Sequence, residues 1–319
     1  MTTWRGRKSF EADLFASYRT SGLQEGTAVF PYGATVIRSG LQKRTPKVPK
    51  KVAVALSALD DLMLDAIVWY HSLVVVIWND PTFKNAFGRA VAALFMRTAQ
   101  DAMVARNLVH AGFDVQARNM LRSIEEHLDA VCFFCVQPSA CSEFIQAEDG
   151  ESANRFWWKY LRNCRRDINK AVLARVKHEP HLKELVEFRR SEREMLSSAH
   201  HPSYVACTMP LMAPYRSVSV SRYLFGLPSE TSIRTAKLLF YILVEAALFG
   251  STLNADLKRL TDSDKDPHLK SVKLGLQHLV NMLLLLVQNW ECPLFAISKE
   301  FEAFLQGLAK TSLTTPPSG

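Results

Sequence analysis

From Val52 onward, apolar residues recur at the three- and four-residue spacing of an α-helix, in runs longer than a strand needs. The pattern predicts helices over roughly 52–78, 82–110, 113–135, 151–176, 180–200, 229–257, 267–290 and 296–309. Asn79-Asp80-Pro81, Ser229-Glu230 and Asp266-Pro267 supply a cap or a first-turn proline at three of the starts. Between Pro202 and Pro228 the helical period fails: Pro210 and Pro214 interrupt it, and 217–225 alternates as a small hairpin or ordered loop would. Before Val52 only 9–20 can form a short amphipathic helix; Gly22, Gly26, Pro31, Gly33 and Gly40 break any regular pattern after it. The expected architecture is all-α, a multi-helix bundle over 52–310, with an irregular arm at 1–51 and a frayed tail at 311–319.

Composition sharpens this picture in three places. Thirteen glycines and fourteen prolines in 319 residues are few, which disfavours a many-turned β-sandwich. The net charge of +8 resides almost wholly in the arm, where residues 1–51 hold ten Lys/Arg against three Asp/Glu. Residues 38–51 concentrate it, with Lys43, Arg44, Lys47, Lys50 and Lys51 around two prolines. That stretch reads either as a solvated linker or as a contact for nucleic acid or an acidic partner. The cysteines at 132, 135, 141, 164, 207 and 292 are irregularly spaced in a chain too large to need staples, which predicts reduced thiols in a cytoplasmic protein. No apolar core follows Arg5, Arg7 and Lys8 as a secretory leader requires, and the apolar runs at 67–78 and 238–253 read as core helices rather than membrane spans.

The predicted helix at 113–135 carries the most chemistry. Ala117, Leu121, Ile124, Leu128, Val131 and Cys135 form one apolar stripe. Arg118, Arg122, Glu125 and Asp129 form a second, about 100° round the helix, so charge borders the buried face. Arg122 and Glu126 are spaced to pair across one turn. This pattern fits a structural ion-pair network and also a functional pocket.

Two pairs match the spacing Arg-x(4–6)-His, which can cleave RNA without metal: histidine moves the proton and arginine holds the phosphorane charge. Arg122 and His127 lie about 140° apart on a straight helix, whereas Arg193 and His200 fall within about 20°. Pro202 disfavours helical geometry at His201, so the second helix presents both histidines at its C-terminus, where a protonated ring is favoured. The same histidine can instead cap free carbonyls there.

Leu121-Arg122-Ser123-Ile124-Glu125-Glu126 and Ser197-Ser198-Ala199-His200-His201-Pro202-Ser203 resemble the motifs Leu-Arg-Ser-x-x-Glu and Ser-x-x-x-His-Pro-Ser. These belong to a family of bacterial all-helical proteins that are distant relatives of the HEPN domain. The resemblance covers roughly 85–255 and makes His201 the matching histidine. It implies a HEPN-like helical core that often dimerises and, among HEPN relatives, metal-independent RNA cleavage in toxin or phage-defence settings. On that basis Arg122 is the expected phosphate clamp, Glu126 its support and His201 the general acid or base. The chain departs from active HEPN ribonucleases at Ser123 and Glu194, where those carry Asn, Asp or His after the arginine. A non-catalytic interaction module, with the same residues as a buried polar network, is the alternative.

Residues 157–170 interleave Trp157, Trp158 and Tyr160 with Arg162, Arg165 and Arg166, a mixture that suits single-stranded nucleic acid and also a half-buried helix with a solvated basic face. Cys132-Phe-Phe-Cys135 reads as buried thiols rather than zinc ligands, because its phenylalanines place it on an apolar helix. No glycine-rich phosphate loop, Gly-x-Ser-x-Gly elbow or Cys-His nucleophile pair is legible. The expectation is therefore no cofactor and no metal, with RNA and a second copy of the chain as partners.

Overall fold

The computed structural model describes residues 48, 50–176, 190, 194, 196, 228–264, 266–288, 303, 306, 307, 309 and 310. Nine α-helices can be followed end to end among them, with no strand. They are α1 (Lys50–Asn79), α2 (Ala86–Ala111), α3 (Asp114–Val136), α4 (Ala140–Gln146), α5 (Gly150–Phe156), α6 (Cys164–Val176), α7 (Glu230–Leu253), α8 (Ala255–Thr261) and α9 (Pro267–Gln288). The expected arm, apart from Val48, Lys50 and Lys51, lies outside the described residues, as do the tail, the 203–227 stretch and nearly all of 180–200 and 296–309.

Local chemistry accounts for the boundaries. Asp80 does not open α2 as expected; its carboxylate accepts from the Thr82 N–H and caps a 3-10 turn, Pro81–Phe83. Asn85 caps α2 instead, accepting from the Gly88 N–H at 2.8 Å. Gly88 is required there, since a Cβ would sit 2.0 Å from the Phe83 carbonyl oxygen. Helix α2 ends at Gly112 in a left-handed conformation (φ 73°), with the Gly112 N–H on the Val109 carbonyl and the Phe113 N–H on Leu108, a Schellman stop. That turn folds α3 straight back on α2, and the two share the most extensive helix–helix contact among the described residues.

Helix α7 is the axis of the bundle. It contacts α1, α2, α3, α6, α8 and α9, and Ile233, Ala236 and nearly every residue from Leu238 to Leu253 are buried. It is long and apolar enough to cross a membrane, yet 94% of its most apolar window is buried inside the protein, the packing of a core helix. Ser229 starts it with a capping box completed by Ser232. The Tyr70 hydroxyl donates to the Leu243 carbonyl at 2.7 Å and fixes α1 against α7. Glu245, the charge that interrupts the apolar run, is buried and accepts from the Tyr241 hydroxyl at 2.7 Å.

The single helix expected over 151–176 is three pieces. After α5 the chain enters a π-helical turn, Trp157–Leu161, whose Arg162 N–H reaches the Trp157 carbonyl five residues back. The helix expected over 229–257 breaks at Asn254, whose side chain caps α8 by accepting from the Leu257 N–H. Helix α4 was not foreseen, because two turns between Pro138 and Gly150 are too short to show a period.

Candidate functional site

The charged stripe of α3 is more deeply buried than its borderline position implied: Arg118, Glu125 and Asp129 are all inside. Their partners come from helices distant in sequence. Arg165 of α6 reaches across to both Glu125 and Asp129 as close ion pairs. Glu125, 2% exposed, lies between two guanidiniums, with Arg122 Nη1 3.5 Å from its other oxygen. Arg122 pairs with Glu126 as its spacing predicts: Nε donates to Oε1 at 2.9 Å, and Nη2 lies 2.8 Å from the same oxygen. The result is one tract, Glu126–Arg122–Glu125–Arg165–Asp129. Glu125 meets its arginines as a charge rather than through aligned hydrogen bonds, so Coulomb attraction inside the bundle carries those contacts.

The tract reaches solvent at α6. A pocket of about 430 Å³ is lined by Arg162, Asn163, Arg165, Arg166 and Asp167. All three arginines expected to bind nucleic acid border it, with Arg162 and Arg166 exposed and Arg165 shared with the buried tract. The π-helical turn also exposes Trp158, over whose ring the Arg162 guanidinium lies at 4.5 Å.

Arg122 and His127 diverge as the 140° spacing requires. His127 turns towards α2, where Nδ1 is 3.7 Å from the Asp101 carboxylate and makes no hydrogen bond. Burial pulls the His127 pKa below that of an ordinary histidine, opposed by Asp101. Asp101 is itself paired with Arg97 at 3.0 Å.

At the start of α3, the Asp114 carboxyl accepts from the Ser232 hydroxyl at 3.1 Å, while its other oxygen is buried without a hydrogen bond. Burial raises Asp114 to about 6, against the pull of Ser232 and Arg118. Arg118 donates to the Thr235 hydroxyl at 3.3 Å, so the stripe also touches α7.

Of the residues expected to act, Arg122 and Glu126 are together and joined through Glu125 to Arg165. Lys50 and Lys51 are exposed at the start of α1, with Lys51 3.8 Å from Glu230. His201, Arg193, His200, Lys43, Arg44 and Lys47 lie outside the described residues. The role of Glu125 as the central carboxylate was missed, although its place in the stripe was legible, because its partner Arg165 is forty residues away in sequence. A second cluster had no sequence signal at all. Asp60 of α1 takes Arg106 and His110 of α2 at 2.5–2.6 Å. Burial alone would raise Asp60, but these two partners hold it below the usual carboxylate range.

No family model, curated protein or solved structure matches this chain. Its function has to be read from the residues themselves. Cys132, Cys135, Cys141 and Cys164 are buried and joined in no disulfide with one another, and burial pushes Cys141 up to about 12 and Cys135 well above its ordinary value. Those two thiols stay protonated and unreactive at neutral pH.

Proposed function

We propose that the protein is a cytoplasmic HEPN-like helical protein that binds RNA and cleaves it without metal. One observation supports this reading above the others: the Arg122–Glu126 pair is continuous, through Glu125 and Arg165, with a pocket bordered by three arginines. In this reading Arg162 and Arg166 receive backbone phosphates, since their guanidiniums face solvent, and Arg165 is the link between the pocket and the interior. Arg122 would act on the scissile phosphate while Glu126 holds its fork in place, and His201 would exchange the proton.

The non-catalytic module is the second reading, and Glu125 favours it. Two carboxylates already engage Arg122, and two engage Arg165, as a network that fixes helix register would require.

Labelled single-stranded RNA incubated with purified protein in EDTA separates the two. Cleavage that disappears in His201→Ala supports the catalytic reading. Equal cleavage by wild type and His201→Ala removes His201 from the chemistry. Binding lost in Arg162→Ala/Arg166→Ala without cleavage by either protein leaves an RNA-binding module. Absence of both binding and cleavage overturns the RNA-acting reading and leaves the interaction module standing.

A further inference from the structure

The π-helical turn that leads into α6 exposes an aromatic ring beside the arginine pocket, and phosphate contacts alone give that ring no task. We propose that the Trp158 indole seats one unpaired nucleobase, and that Arg162, Arg166 and Lys170 carry the phosphates that follow it. This rests on the reading of the pocket as an RNA site and adds the class of RNA: a strand with a base free to leave its neighbours.

The turn decides where Trp158 stands. Phe156 and Tyr160 meet ring to ring at 5.0 Å and pack on Phe133, Phe134 and Phe144 of α3 and α4. Trp158, two residues from each, is left on the other side of the turn, 54% exposed. The turn is pinned from behind, because Glu143 of α4 accepts from the Tyr160 hydroxyl at 2.8 Å and pairs with Lys159 at 2.8 Å. Trp157 braces the indole at right angles, with ring centroids 5.2 Å apart. A ring held this way is in place before a base arrives, so little ordering opposes stacking. Stacking accepts any base, since every base has a π-face, so the seat selects unpaired strand rather than sequence.

The neighbouring cations divide into those already spent and those still open. Arg155 pairs with Glu151, Lys159 with Glu143, and Arg165 with Glu125 and Asp129. Arg162 meets no carboxylate among the described residues, and its guanidinium lies over the Trp158 ring at 4.5 Å. Lys170 is likewise exposed and unpaired among them. Arg166 faces Asp167, the one carboxylate lining the pocket, at 3.9 Å with both side chains in water. Three cations against that carboxylate leave the row positive. They follow Trp158 at four-residue intervals, an advance of about 6 Å each along α6. That matches the stride of one nucleotide in an extended strand. A duplex offers phosphates to the same row but keeps its bases stacked inside, and leaves the indole empty.

The test uses a labelled 2′-O-methyl uridine dodecamer, whose blocked hydroxyl keeps the strand intact, and follows binding to the full-length protein by anisotropy. Its duplex with the complementary strand and a dodecamer of abasic spacer with the same phosphates are the comparison probes. Trp158→Ala should weaken the single strand by about 5- to 150-fold and leave both comparison probes unchanged. Trp158→Phe should recover most of that loss, whereas Trp158→Leu, apolar but without a ring, should not. Arg166→Ala/Lys170→Ala should weaken all three probes and flatten the salt dependence, which Trp158→Ala leaves as it was. Thermal melts establish that the variants are folded, and Trp158→Leu carries the comparison if Trp158→Ala is not. Single-strand binding that survives loss of the ring, or a loss that the abasic strand shares, overturns the stacking seat while the RNA reading stands. Binding of no probe by the wild type overturns both.

Discussion

Helices α3 and α7 are 23 and 24 residues long and pack on one another, yet their buried faces differ in chemistry. Helix α7 buries Leu, Phe, Ile and Val on almost every side and is held by the area it removes from water. Helix α3 buries a comparable apolar stripe beside Arg118, Glu125 and Asp129, each of which must meet a particular partner. Buried area constrains rotation or a one-turn slip less sharply than a directed polar contact across helices does. In this bundle α7 supplies most of the cohesion, and the α3–α6 ion pairs, with the Arg118–Thr235 and Tyr70–Leu243 bonds onto α7, specify register.

The contrast can be broken at four strengths. Phe240→Ala, at a fully buried site of α7, should destabilise by about 3–5 kcal/mol in denaturant unfolding, and a much smaller loss would show that α7 repacks. Glu125→Ala should lose about 3 kcal/mol, because two guanidiniums lose their shared carboxylate. Replacing Arg122, Glu125, Asp129 and Arg165 together by Met, Leu, Leu and Met, so that no buried member of the tract is left without its partner, should recover most of that loss. If it does not, the pairings contribute cohesion as well as register.

Third is the pH dependence of Asp114. Its folded pKa of about 6 exceeds the unfolded value of about 3.9, so the folded state binds the extra proton. Stability should fall as pH rises from about 4 to about 6, by on the order of 3 kcal/mol, and stay level above. Asp114→Asn should flatten that slope, and melts from pH 4 to 7 in both proteins measure it. Asp60 works in the opposite sense, since its depressed pKa makes its contribution disappear as pH falls through the acid range. Smallest is Arg97→Ala, which removes an exposed partner of Asp101 and should change stability by less than about 1 kcal/mol in denaturant unfolding; a larger change would mean the Arg97–Asp101 pair helps hold the bundle together.

Most of the helices were legible from periodicity, because long apolar stripes leave little choice of fold. The pairing of Arg122 with Glu126 and the divergence of Arg122 from His127 were legible as well, since both follow from helix pitch alone. The coupling of Glu125 to Arg165 and of Asp60 to Arg106 was not, because it depends on which helices become neighbours. The π-helical turn was hidden for another reason: Trp157–Leu161 has no composition that separates its wider turn from an ordinary helix.

The burial of α7 also has a consequence for the timing of synthesis. Helix α3 ends at Val136 and α7 begins at Glu230, so at translation rates of ~5–20 residues per second they emerge about 5–20 s apart. During that interval the surfaces of α1, α2 and α3 that α7 will cover have no occupant from α7. The nascent chain then presents an open apolar groove, and later an apolar helix of membrane-spanning length, to whatever chaperone or insertion machinery meets it first.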